Sequence, residues 1–200
     1  MFKIIEGGKK PHIKTEFSSS ADLYARKNID IPMGETKVIP LGVIIDLDYF
    51  KSMFDNNYQG IDKRKPKFKR GSYNRFLENH FFELKIRSSL AKHLIIPNGV
   101  GEIDIDYPDE IGLMVHNPIN TSFLINLTAI QKDFISNPTD LNMQSKLLNI
   151  AVDNMISIKA GDRVGQIKLM KHENHFMPDD YRSAEKRTGG FGSTNNKGDK

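Results

Sequence analysis

Phe82-Glu83-Leu84-Lys85-Ile86 alternates apolar and charged residues without a break, the pattern of a strand with one face in a core and the other in water. Glu102-Ile103-Asp104-Ile105 and Val164-Gly165-Gln166-Ile167-Lys168-Leu169 alternate likewise. Thr36-Lys37-Val38-Ile39-Pro40 and Val43-Ile44-Ile45-Asp46-Leu47 are short and rich in β-branched residues. Turn signals separate these runs at Pro32-Met33-Gly34, Pro97-Asn98-Gly99, Tyr107-Pro108-Asp109 and Lys159-Ala160-Gly161-Asp162. That spacing fits an antiparallel barrel or sandwich rather than βαβ units, so the expected class is all-β.

Two stretches interrupt the strand pattern. Residues 49–80 hold several aromatics and the basic run Lys63 to Arg75, which has seven basic residues and no acid. Thr139 to Ile158 places Leu141, Leu148, Val152 and Met155 at three- and four-residue steps, which predicts one short helix with Thr139 or Asp140 as its N-cap. The tail from Arg182 to Lys200 has four glycines and few apolar residues, so alone it is expected to be mobile. No internal repeat is visible.

With 200 residues, one domain of ordinary size is expected, burying about 70% of the unfolded surface. A hydrophobic content of 38% and a charged content of 27% place the chain outside the disordered and membrane-spanning classes. The longest nearly apolar run, Val38 to Ile45, is far short of the roughly 20 residues of a membrane helix. No secretory apolar segment opens the chain, and the absence of cysteine excludes disulfides and thiolate chemistry, so a cytoplasmic location is expected. The net charge of +4 is local, because outside Lys63 to Arg75 there are 22 basic against 25 acidic residues.

Several polar clusters flank the strand signals, each with two readings. Arg87-Ser88-Ser89-Leu90-Ala91 is a solvated turn, or a guanidinium fork with hydroxyls and backbone donors suited to phosphate oxygens. Asp104 and Asp106, two apart in a strand pattern, share a face: a solvent-facing edge, or acids whose repulsion is offset by a cation, a donor or a water awaiting deprotonation. Asn98-Gly99-Val100-Gly101 is a tight turn, or a hairpin whose backbone approaches a planar ligand. Gly161-Asp162-Arg163-Val164-Gly165-Gln166 reads as a turn entering a strand with Gln166 exposed. Arg187-Thr188-Gly189-Gly190-Phe191-Gly192-Ser193-Thr194 is a linker, or a glycine-rich wrap for anions with Phe191 as a stacking face.

Together and in this order, with Ala21-Asp22-Leu23-Tyr24-Ala25 ahead of them, these clusters resemble the five motifs of the homotrimeric dUTP pyrophosphatase (dUTPase) family over residues 19–194. The resemblance implies a distorted jelly-roll or β-barrel subunit over residues 1–181, with insertions at about 49–80 and 118–158 and a tail, 182–200, bearing the fifth motif. It also implies a homotrimer with three shared active sites. The implied reaction is Mg²⁺-assisted hydrolysis of dUTP to dUMP and pyrophosphate. Asp104 then corresponds to the general base, and Asn98 with the adjacent backbone to the uracil-reading hairpin, Gly101 and Ile103 being counted among the substrate-binding residues. Tyr107 corresponds to the ring beneath the deoxyribose, and Arg87, Ser88, Ser89 and Gln166 to triphosphate ligands. Asp22 resembles the acid that holds a magnesium-bound water. Arg187, Gly189, Gly190, Phe191, Gly192 and Ser193 resemble the tail that closes over the nucleotide.

The chain departs from the family pattern in places. Ser20-Ala21 precedes Asp22 where a glycine is usual, and Asn195 stands where a final glycine is expected. Only Thr188 separates Arg187 from Gly189, so Lys186 occupies the longer-spaced position; Arg187 is favoured for its planar fork. Deamination of dCTP on the same fold is a weaker alternative, because Ile111 to Asn117 lacks the glutamate of that family. A nucleic-acid or protein contact through residues 63–75, where cations mix with aromatics, is a further alternative that is compatible with catalysis. His172 and His175 have no evident third partner for a metal.

Overall fold

The computed structural model describes residues 1–54, 73–136 and 142–172. Its strands are β1 (Phe2–Ile4), β2 (Ala21–Tyr24), β3 (Ile29–Ile31), β4 (Thr36–Pro40), β5 (Val43–Ile45), β6 (His80–Ile86), β7 (Gly101–Asp104), β8 (Gly112–His116), β9 (Ile156–Ile158) and β10 (Arg163–Lys171). Its helices are α1 (Leu47–Phe54), α2 (Tyr73–Glu78), α3 (Thr121–Ser136) and α4 (Met143–Asp153). The pairings are antiparallel. One sheet has four strands in the order β2-β10-β6-β7, and β1–β5, β3–β9 and β4–β8 form two-stranded sheets, so among the described residues no barrel closes.

Alternation in β6 decides how the main sheet packs. Phe82 and Leu84 are 1% and 2% exposed and join Leu23 of β2 and Ile167 of β10 in the core. On the other face, Glu83 sits opposite Lys168 and Glu102, Lys85 opposite Gln166, and Gln166 opposite Asp22. The Glu83 carboxylate lies 2.9 Å from Lys85 Nζ and 3.0 Å from Lys168 Nζ, and these two ammonium groups hold it below the usual carboxylate range despite burial. The β10–β2 register slips by one residue between Arg163 and Gly165, a β-bulge.

Phe50, Phe54 and Phe76, from the aromatic stretch at 49–80, lie in the core, and the Phe50 ring sits 5.3 Å from Phe76 and 6.2 Å from Phe82. Phe50 and Phe54 are one helical turn apart on α1. Asp46 starts that helix, its Oδ1 accepting from the Tyr49 N–H at 3.3 Å. β5 accordingly ends at Ile45, short of the apolar run that continues to Leu47. Truncating a ring such as Phe50 or Phe82 to alanine would cost about 3–5 kcal/mol.

Among the described residues, four helices stand where the sequence pattern predicts one. The helix expected over Thr139–Ile158 is α4, Met143–Asp153, and its N-cap is Asn142 rather than Thr139 or Asp140, which lie outside the described residues. Leu148 and Val152 are 65% and 53% exposed, so their spacing marks no buried face. Ile156–Ile158 is pulled out of the helix into pairing with Ile29–Ile31. Asn117, 3% exposed, ties this region down by donating from Nδ2 to the carbonyls of Ile31 and Asn154, each at 2.9 Å.

A second tie joins loops far apart in sequence. Arg26 donates from Nε and Nη2 to the Glu110 carboxylate at 2.8 and 2.7 Å, and the Gly42 N–H donates to Glu110 Oε1 at 2.7 Å. Burial alone would raise the Glu110 carboxyl, but the Arg26 and Gly42 donors overcome it and hold the group below its ordinary value. Gly42, at φ +68°, packs so closely on Gly8 that a methyl group on Gly8 would overlap the Gly42 carbonyl.

Candidate functional site

Asp22 is 3% exposed, in the middle of β2. Its Oδ1 accepts from Gln166 Nε2 at 3.0 Å and lies 3.4 Å from Arg87 Nε, and its Oδ2 lies 3.4 Å from Arg163 Nη1. Three residues singled out from separate motifs, Asp22, Arg87 and Gln166, therefore meet in one cluster. The register explains the meeting. Gln166 is the direct cross-strand partner of Asp22, and the Arg87 N–H donates to the Val164 carbonyl at 3.0 Å, so β10 carries Gln166 between the other two.

Beyond Arg87 the chain turns, with the Leu90 and Ala91 N–H groups donating to the Arg87 carbonyl at 3.0 and 2.9 Å. Ser88 and Ser89 are exposed on this turn. The Arg87 guanidinium carries five N–H donors, more than one carboxylate contact at 3.4 Å uses, and its side chain is 23% exposed.

The other edge of the sheet carries the remaining motif. Asn98 lies in an exposed turn where the Gly99 N–H donates to the Ile96 carbonyl at 3.1 Å and Gly99 takes φ +78°. Gly101 opens β7 pressed against Leu84, where an added methyl would sit 3.2 Å from the Leu84 Cβ. Ile103 pairs with Phe82, and Asp104 with Phe81. Asp104 and Asp106, expected to share a strand face, are divided between the end of β7 and the turn after it. β7 ends with Asp104, whose carbonyl accepts from the Tyr107 N–H at 3.0 Å, and Asp106 follows on the turn; both acids are exposed while Ile105 and Tyr107 go inward. Tyr107 is 7% exposed within the core, and burial, then Asp109 and Glu110, push its hydroxyl above the usual tyrosine range.

Asp104 and Arg87 point from the same face but from opposite ends of the sheet. Asp104 is level with Phe81, six residues before Arg87 on β6. At the strand rise of about 3.3 Å per residue the two are roughly 20 Å apart. Side chains placed so far apart do not converge on one atom within a single chain.

Magnesium does not fit Asp22 in this arrangement. Both carboxylate oxygens face donors, two of them guanidinium groups that would repel a dication, and among the described residues no group of three His, Asp or Glu side chains could hold a metal ion. Residues 55–72, with most of the basic run, lie outside the described residues, as do Lys186 and the tail residues Arg187, Gly189, Gly190, Phe191, Gly192 and Ser193. Arg163 was given no role by sequence reasoning. Its hold on Asp22 depends on the bulge, which alternation alone does not reveal.

No family model matches the chain, and no curated protein matches it. Solved structures do. The dUTPase of phage phi11 of S. aureus matches with a TM-score of 0.53 at 14% identity, over 92% of this chain and 96% of that one. That structure visualises a species-specific insert, and another of the same enzyme describes coordination of a structural Mg(II) ion. The dUTPase of Staphylococcus bacteriophage 80alpha, solved with dUpNHpp, matches with a TM-score of 0.52 at 15% identity, over 97% of this chain and 96% of that one. Identities this low carry the course of the backbone and nothing finer: the mostly β chain described above has the fold of dUTPases.

Proposed function

We propose that the chain hydrolyses dUTP to dUMP and pyrophosphate, in active sites shared between copies of a homotrimer. The observation that carries this reading is the convergence of Arg87 and Gln166 on Asp22 beside the Ser88-Ser89 turn, where guanidinium, amide and hydroxyl donors suited to phosphate oxygens stand together. The wide separation of Asp104 from Arg87 within one chain supports the shared site, since the β7 edge of a second copy would bring a carboxylate to the phosphates bound by the first.

In this reading Arg87, Ser88, Ser89 and Gln166 hold the triphosphate. Asp104 of a neighbouring copy takes the proton from a water as its oxygen bonds to the α-phosphorus. The bond from that phosphorus to the bridging oxygen breaks, and pyrophosphate leaves in line with the attack. The exposed Asn98 turn, with Gly101 and Ile103, reads the uracil, and Tyr107 backs the deoxyribose. Arg187, Gly189, Gly190, Phe191, Gly192 and Ser193 close over the bound nucleotide.

The test is pyrophosphate release from dUTP, dTTP, dCTP and UTP measured side by side, with ammonia release from dCTP as the fifth arm. Turnover of dUTP well above the others is expected. Ammonia from dCTP, or equal turnover of UTP, would overturn the assignment.

A further inference from the structure

We propose that the N-terminal segment supplies a further subsite, in which Lys9 and His12 take the outermost phosphate of a nucleoside triphosphate and make the site prefer three linked phosphates to two. This deepens the reading above and rests on it for the identity of the nucleotide. Neither residue belongs to the motifs that carry that reading.

Residues 9–12 run beside β2, on the side away from β10. The His12 N–H donates to the Asp22 carbonyl at 3.1 Å and the Asp22 N–H donates to the His12 carbonyl at 2.8 Å, so the two residues form a directly opposed antiparallel pair. Opposed side chains share a face, which places the exposed His12 imidazole on the same side of the sheet as the Asp22 carboxylate. An imidazole carries at least one N–H donor in either protonation state. Tyr24, two residues beyond Asp22 on β2, presents its ring to that side too. The ammonium of the exposed Lys9 rests over this ring, 5.6 Å from its centroid.

Lys9 has this place because Gly161 carries no side chain; a methyl group there would overlap the ammonium. Among the described residues no carboxylate pairs with Lys9. Asp162, the acid of the adjoining turn, accepts from the Lys159 N–H at 2.9 Å instead. An ammonium positioned by a ring and left without a counter-ion is ready to take an anion.

Position selects the anion. Tyr24 is level with Arg163, and the Arg87 N–H bonds the Val164 carbonyl, so the Ser88-Ser89 turn stands near the level of Tyr24. With β10 between β2 and β6, that turn is two strand spacings from Tyr24, roughly 10 Å. Such a span suits a chain of linked phosphoryl groups, the inner ones on the Arg87 and Ser88-Ser89 side and the outermost on Lys9 and His12.

The experiment uses the full chain, with inorganic tripolyphosphate and inorganic pyrophosphate as probes, each titrated at the same salt concentration. Lys9→Met keeps the stem on Tyr24 and removes the charge. It is expected to weaken tripolyphosphate about tenfold, the worth of one charge-assisted contact, while pyrophosphate is nearly unchanged. Lys9→Arg should restore most of the preference, and His12→Leu should reduce it in the same sense as Lys9→Met. No loss in Lys9→Met, or equal losses for both probes, overturns the subsite, because a merely basic surface attracts the two alike. A His12→Leu variant that binds both probes as wild type does overturns the part given to His12. The substrate reading is judged separately: it fails if wild-type protein prefers tripolyphosphate through Lys9 yet releases no pyrophosphate from dUTP.

Discussion

Two inactive variants should restore one another when mixed, if Asp104 and Arg87 act from different copies. Asp104→Asn removes proton acceptance and Arg87→Ala removes the fork beside Ser88, and each alone should lower kcat by roughly 10²–10⁴. Asp104 pairs with Phe81 while Arg87 lies six residues further along the same strand, too far to serve one phosphorus from one chain. In an assembly refolded from equal amounts of the two variants, each site takes its Arg87 position from one copy and its Asp104 position from another. Half of the first and half of the second are intact, so about one site in four is fully native, whatever the order of the copies around the axis. The mixture should regain about 25% of wild-type turnover, at least roughly 25-fold above either parent. The assay is pyrophosphate release after unfolding and joint refolding, with wild-type chain carried through the same cycle as the reference. If the reference recovers and the mixture stays at the level of its parents, the base and the fork act within one chain, and the distance argument is wrong.

Other outcomes follow from single contacts. Glu110→Gln leaves Arg26 without its charged partner and should cost about 1–2 kcal/mol at neutral pH for a partly buried pair, seen as a lower denaturant midpoint. Because the Glu110 carboxyl is held below its unfolded value, its stabilisation is present above the ordinary glutamate range and is lost as pH falls through the folded value; the gap between wild type and variant should close in acid, and a gap independent of pH would refute the pairing. Gly8→Ala forces a methyl group into the Gly42 carbonyl and should cost about 1–3 kcal/mol, lowering Tm by about 2–4 °C per kcal/mol. Ending the chain after Glu185 should leave Tm nearly unchanged while reducing kcat/KM for dUTP at least tenfold, roughly the worth of one stacked base; full turnover by the shortened chain would remove the tail from the site.

The sequence was most legible where one face of a strand is buried and the other is wet. β4 matches its expected bounds, Thr36–Pro40, and β6 and β10 contain their expected runs, because alternation records the core directly. β1, β3 and β9 are three residues each, too short for a period to show. In α3, Ile130 is buried at 9%, whereas Leu124, Ile125 and Leu127 are 51%, 62% and 39% exposed, so apolar spacing there tracks no core. Its one local signal is Asn120, whose Oδ1 accepts from the Phe123 N–H at 2.8 Å. Asp22, Arg87 and Gln166 were legible as motif members, but their contact was not, since it depends on pairing between strands 65 and 144 residues apart in the chain. The Arg26–Glu110 tie, 84 residues apart, left no local trace.

The slip in β10 also governs which changes of length the chain can bear. Deleting Val164 or Gly165 would leave Arg163, Gln166 and every residue of the neighbouring motifs present and in order. It would also remove the extra residue that the bulge accommodates, leaving Arg163 and Gln166 two apart in a regular strand, still opposite Tyr24 and Asp22 on one face. A comparison of sequences that allows a one-residue gap here would therefore still align a chain able to present both side chains on one face. The site depends on the shared face of Arg163 and Gln166, which a spacing of three with a bulge and a spacing of two without one both supply.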